Sequence, residues 1–123
     1  MFKGSFTALI TPFKNKRLDR DAYAKLIHHQ IDNGTNGLVP GGTTGESPTL
    51  SYVEHREIIK ICVRESKNRI PIMAGTGSNS TEEAIHLTRF AEKAGANAAL
   101  VVTPYYNKPT QEGLYQHYKA INN

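Results

Sequence analysis

Cysteine is nearly absent. Cys62 stands alone, which excludes an intramolecular disulfide framework and a thiolate metal cluster built within one chain. It falls on an apolar helical stripe and reads as a packed core thiol rather than a reactive one. Long apolar runs are missing too. The longest are a few residues, such as Ala98-Ala99-Leu100-Val101-Val102, against the roughly 20 that a spanning helix needs, so no membrane partner is expected. The opening Met1-Phe2-Lys3-Gly4-Ser5 carries no apolar stretch of secretory length, and a cytoplasmic location follows. The net charge of +4 is not concentrated: basic residues are scattered, and the densest group, Lys14-Asn15-Lys16-Arg17, reads as a solvated turn. Without an aromatic ladder or a helix-turn-helix pattern, nucleic-acid binding has no support. His28 and His29 are adjacent on a helix and cannot face one ion, and no His or carboxylate set has ligand spacing, so neither metal nor cofactor is expected. Both histidines read as solvated helix residues.

At 123 residues with 38% hydrophobic content, the chain fits one domain able to bury about two-thirds of its unfolded surface. Four short apolar runs, Phe6 to Ile10, Gly37 to Val39, Ile70 to Ala74 and Ala98 to Val102, recur at about the length of one βαβ repeat. They are almost wholly apolar and do not alternate, the pattern of buried parallel strands. A helical pattern follows each. The first places Tyr23, Leu26, Ile27 and Ile31 on one face between Asp19 and Gly34. The second carries Ile59, Cys62 and Val63 behind a Ser51 and Glu54 capping box. The third carries Ala84, Leu87, Thr88, Ala91 and Ala94, opened by Ser80 with Glu83 and closed by Gly95. The fourth runs from Thr110 through Leu114, His117, Tyr118 and Ile121.

The fold class is therefore α/β with a parallel sheet, four βα units forming the N-terminal half of a (β/α)8 barrel of roughly 250 residues. A complete four-stranded open sheet is the alternative; the final helix lacks a stop signal, which favours the half barrel. Its first and last strands would present open edges, so an isolated chain is expected to be marginal and prone to associate.

Chemistry in parallel α/β folds lies beyond the C-terminal ends of the strands. After the second run comes Pro40-Gly41-Gly42-Thr43-Thr44-Gly45-Glu46-Ser47-Pro48-Thr49. Glycines around a hydroxyl pair let backbone N–H groups approach a small anion, although a tight turn capped by Thr side chains explains the composition equally well. The loop lacks the lysine and glycine spacing of a phosphate-binding Walker loop, and Gly75-Thr76-Gly77-Ser78-Asn79-Ser80 lacks the third glycine of a dinucleotide fingerprint. After the fourth run, Tyr105 and Tyr106 are candidates for a hydroxyl proton relay, while the residues alone favour interface packing.

Gly42-Thr43-Thr44-Gly45-Glu46-Ser47 and Val102-Thr103-Pro104-Tyr105-Tyr106-Asn107-Lys108-Pro109-Thr110-Gln111-Glu112-Gly113-Leu114-Tyr115 resemble signature segments of the dihydrodipicolinate synthase family. The resemblance extends along the whole chain, through Thr11-Pro12, Ile70-Pro71 and Ala74-Gly75-Thr76-Gly77 to His117. It implies a (β/α)8 barrel followed by a small helical domain, assembled as a homotetramer. Residues 1–123 are then a partial, truncated barrel, with units five to eight and the helical domain lying beyond Asn123. The implied reaction condenses pyruvate with aspartate semialdehyde through a lysine Schiff base. By resemblance Thr44 binds the pyruvate carboxylate, Gly45 keeps the loop close to it, Thr43 is the middle of a proton relay, and Tyr106 is the relay tyrosine reaching into a neighbouring subunit. None of the nine lysines matches the Schiff-base position, so this chain alone is expected to be inactive. Ser47, His55, Gly77, Asn79, Glu83 and Tyr105 resemble a site at which lysine inhibits many members, while Tyr52 departs from a histidine found there in some. Otherwise His55 and Glu83 would be ordinary exposed helix residues. The competing readings are a sister pyruvate-dependent aldolase, such as N-acetylneuraminate lyase or a keto-deoxy sugar-acid aldolase, and a non-catalytic gene remnant. The Thr43-Thr44 pair favours the synthase.

Overall fold

The computed structural model describes residues 2–123. Three-residue parallel strands form at the four apolar runs: β1 (Phe6–Ala8), β2 (Gly37–Val39), β3 (Met73–Gly75) and β4 (Ala98–Leu100). Phe6, Thr7 and Ala8 pair with Gly37, Leu38 and Val39, and Met73, Ala74 and Gly75 pair with Ala98, Ala99 and Leu100. A parallel bridge between Leu38 and Ile72 joins the two pairs, with Leu38 N–H donating to the Pro71 carbonyl (3.1 Å) and Gly75 N–H to the Pro40 carbonyl (2.8 Å). The strands thus lie side by side in chain order. A doubly wound sheet would reverse that order at a switch point; unbroken order with a helix in each crossover is the topology of a barrel.

β1 and β4 stop before their apolar runs do, β2 matches its run, and β3 starts later than its run and ends one residue past it. Leu9 N–H still donates to the Val39 carbonyl (3.0 Å), but Ile10 is exposed. Between β1 and α1 the chain also makes a hairpin, Phe13–Lys14 against Arg17–Leu18, unforeseen beyond its turn. Asn15 and Lys16 both take positive φ (51° and 62°), the conformation that a two-residue hairpin turn requires.

The helices are α1 (Arg20–Asp32), α2 (Tyr52–Ser66), α3 (Thr81–Ala94) and α4 (Gln111–Asn122). Asp19 caps α1 by accepting from Ala22 N–H (3.0 Å), and Thr110 caps α4 by accepting from Gly113 N–H (3.1 Å). Ser51 and Glu54 close a full capping box on α2. Ser80 caps α3, but Glu83 does not return the bond, so the box foreseen there is only half made. Gly95 ends α3 in the left-handed conformation.

One apolar cluster, including Leu9, Tyr23, Ile27, Leu38, Ile58 and Cys62, fills the space between the strands and α1 with α2; a smaller one joins Ile59, Ala74 and Ala91. Burial pushes the Cys62 thiol up to about 12, which keeps it protonated and inert. His28 differs from its reading as a solvated residue. It is half-buried, its Nδ1 accepts from Arg69 (3.0 Å), and its Nε2–H donates to Glu65 (3.0 Å), tying α1 to the end of α2. Exposed His29 lies on the neighbouring face.

Ser51→Ala removes the hydroxyl half of the α2 box and should lower stability by about 1 kcal/mol in urea unfolding. A change below a few tenths would show that tertiary packing alone holds this end of α2.

Candidate active site

The segment after β2 folds into successive hydrogen-bonded turns. Gly45 N–H donates to the Gly42 carbonyl and Glu46 N–H to the Thr43 carbonyl, each at 3.0 Å. Gly45 is buried, and its carbonyl accepts from the Thr11 hydroxyl (2.7 Å). A Cβ there would sit 2.9 Å from the Leu9 carbonyl oxygen, so glycine lets the loop seat against the end of β1. Thr43 and Thr44 stand exposed at the crest. Their amides and hydroxyls enter no hydrogen bond among the described residues. The turn is real, but these two hydroxyls do not cap it; Thr49 does the local bonding, donating to the Glu46 carbonyl (3.0 Å). Two adjacent amides and two hydroxyls on a turn suit a small carboxylate.

A cavity of about 440 Å³ opens between the ends of β2, β3 and β4, lined by Gly42, Thr43, Gly75, Leu100 and Tyr105 among others. The turn bearing the threonines and the loop bearing the tyrosines therefore share one rim. Thr44 and Tyr106 do not line this cavity. Tyr106 is 94% exposed, with its backbone at a positive φ of 66°.

A smaller adjoining cleft of about 60 Å³ gathers Ser47, His55, Gly77, Glu83 and Tyr105, with Tyr52 on its wall. Asn79 is not among its lining residues, and its carbonyl accepts from Asn107 Nδ2 (3.2 Å). His55 is not an ordinary exposed helix residue. It is 4% exposed, and its ring donates from Nε2 to the Gly75 carbonyl (2.7 Å), which fixes the tautomer because a carbonyl only accepts. Burial holds its pKa below the usual value, opposed by the Gly75 bond and the Glu83 charge. Two features had no reading from sequence. Ser78 is buried and donates to the Glu83 carboxylate. Arg56 lies between the Tyr52 and Phe90 rings, 4.3 and 4.8 Å from their centroids, and donates to the Tyr52 hydroxyl (3.1 Å). The spacing of four residues between Tyr52 and Arg56 on one helix face was the available signal for that stack.

Among the described residues no group of three or more His, Cys, Asp or Glu is gathered to hold a metal ion. Nor is any helix among them long and apolar enough to cross a membrane.

Parallel strands in chain order, with polar loops meeting above their C-terminal ends, define a half (β/α)8 barrel of the kind that carries catalysis on its βα loops. The chain belongs to the dihydrodipicolinate synthetase family, whose model matches residues 1–123. It is 75% identical over 122 residues to a 4-hydroxy-tetrahydrodipicolinate synthase of Pelagibacter ubique, covering 99% of this chain and 42% of that enzyme. Among solved structures, the Acinetobacter baumannii dihydrodipicolinate synthase complexed with pyruvate is 56% identical with a TM-score of 0.96, over 99% of this chain and 42% of that one. The Cyanidioschyzon merolae enzyme with lysine bound is 41% identical with a TM-score of 0.94, over the same shares. The family is enzymatic, and the chain spans about two-fifths of the length of these relatives.

A histidine whose folded pKa lies below its unfolded value binds protons more readily when unfolded. Its contribution to stability is complete above the unfolded pKa and is lost as pH falls through the folded value. His55 and His117 are both lowered, each chiefly by burial. Unfolding midpoints should therefore fall as pH drops below about 6.5, and His55→Gln, which keeps a donor for Gly75, should flatten that slope. A slope unchanged in the variant would remove His55 from the account.

Proposed function

We propose that this chain supplies the carboxylate-binding and proton-relay half of a 4-hydroxy-tetrahydrodipicolinate synthase, a lyase of lysine and diaminopimelate biosynthesis. The reaction condenses pyruvate with L-aspartate 4-semialdehyde. The observation that carries the reading is the exposed Thr43-Thr44 pair, with amides and hydroxyls unengaged and Thr43 on the cavity wall. Thr44 donates its N–H and hydroxyl to the pyruvate carboxylate, and Gly45 seats the loop so that both point outward. Thr43 passes a proton between hydroxyls, a task that suits a group never charged for long. Tyr106 is its partner across a subunit boundary in a homotetramer; a side chain 94% exposed is free to reach a neighbour.

Covalent activation of pyruvate needs a lysine amine that loses its proton near neutral pH. It attacks the ketone carbon, water leaves as the imine forms, and loss of a methyl proton gives the enamine that adds to the aldehyde. None of the nine lysines here lines the cavity at the strand ends, so we assign that group to the part of the barrel beyond these residues, along with the helical domain. Lysine, bound by the Cyanidioschyzon merolae relative, is the inhibitor that the cleft of Ser47, His55, Gly77, Glu83 and Tyr105 would accept, with Asn79 beside it. The reaction's setting is the cytoplasm.

Purified alone, the 123-residue chain should give no product and no borohydride-trapped pyruvate adduct; either one would refute the assignment of the nucleophile elsewhere. Substituted for the matching 42% of the Pelagibacter ubique enzyme, it should restore synthase activity. In that chimera Thr43→Val should lower kcat by roughly 10²-fold or more. Thr44→Val should raise the pyruvate KM by about 10-fold, the loss of one hydrogen bond to a charged group. Wild-type constants in both variants would sink the reading.

A further inference from the structure

Ser80 and Glu83 hold the N-cap and N3 positions of α3, the same spacing as Ser51 and Glu54 on α2. On α2 the box is complete, with the Ser51 amide donating to Glu54 Oε2 (2.8 Å). On α3 the Ser80 amide donates instead to Ser78 Oγ (3.1 Å), and the Ser78 hydroxyl donates to Glu83 Oε2. Ser78 is only 2% exposed, so this is a built contact rather than a surface rotamer. A single hydroxyl therefore satisfies the amide that Glu83 would have capped and holds the released carboxylate at the wall of the small cleft.

The charge left there has a chemical consequence. Glu83 is the one carboxylate lining the cleft, no Lys or Arg lines it, and the buried His55 faces it with Nε2 already committed to Gly75. The cleft thus offers a single carboxylate beside the Tyr105 phenol, a setting for an ammonium group, while the Tyr52 ring on its wall is already stacked by Arg56.

We propose that Ser78 is a positioning residue: by taking the Ser80 amide it keeps Glu83 out of the helix cap and turns its carboxylate toward an amine ligand in the cleft. This rests on the reading of that cleft as a lysine site for the identity of the ligand, but not for the competition between the two bonds of Glu83.

The test uses the chimera that joins this chain to the remaining length of the Pelagibacter ubique enzyme. In the crystal structure of Ser78→Ala, the Glu83 carboxylate should swing onto the Ser80 amide and complete the capping box. The lysine concentration for half inhibition, each variant measured against its own uninhibited rate, should rise about 10-fold, as loss of a charge-assisted contact implies. Ser78→Thr, which keeps the hydroxyl, should restore both. A carboxylate that stays over the cleft in Ser78→Ala overturns the proposal, as does a rotated carboxylate with unchanged lysine sensitivity. An unsubstituted chimera blind to lysine is the distinct failure of the lysine reading; the position of Glu83 in Ser78→Ala then still decides the role of Ser78.

Discussion

Where β2 and β3 end, three pieces of chain come closer than side chains would permit. A Cβ on Gly75 would lie 2.3 Å from the Gly41 carbonyl oxygen, and one on Gly41 would lie 2.7 Å from His55 Nε2. Gly75 N–H donates to Pro40 while its carbonyl accepts from His55, so both polar groups of one buried residue are satisfied by different elements. Removing such a buried partner costs about 1–3 kcal/mol. The geometric effect reaches further. The contact fixes the threonine turn, the loop leading to α3 and the N-terminal part of α2 against each other, which is why the larger cavity and the small cleft adjoin and share Ser47, Gly77 and Tyr105.

Strand and helix identity was legible because local and tertiary demands agree. An apolar run that does not alternate has no face to give to water, and Asp19, Ser51, Ser80 and Thr110 each stand where a helix needs an acceptor. The hairpin after β1 was not legible as strands. Its turn residues are Asn15 and Lys16 rather than an Asn-Gly pair, and its ladder is two residue pairs long, too short for periodicity to register. Strand ends were overcalled for a related reason: apolar character persists through Ile10 and Val102 after the backbone partners have run out.

The candidate site divides in the same way. Its loops were visible from glycine and hydroxyl composition together with the rule that strand ends carry the chemistry. Individual contacts were not, because they depend on distances across sequence. His55 lies 20 residues from Gly75; its place one turn before Ile58 and Ile59 puts it on the buried stripe of α2, but nothing on that helix names the carbonyl its ring meets. The Ser80 and Glu83 spacing predicts a closed box, and a third residue, Ser78, intervenes through a bond that no capping rule includes. A local motif states which bond is available; a nearby competitor decides whether it is made.

The distribution of lysine side chains separates binding from covalent chemistry. An amine that forms an imine near neutral pH must have its charged form disfavoured, by desolvation or by a neighbouring cation. None of the nine lysines lines the cavity at the strand ends or the cleft beside it. Turn amides and hydroxyls face the opposite requirement. They bind an anion best when already aligned and unengaged, a condition that the backbone of a short turn meets without any ionised side chain. Four βα units present such amides and hydroxyls unengaged at the strand ends, whereas a reactive amine also needs a desolvating surround, which the interior of a closed barrel supplies.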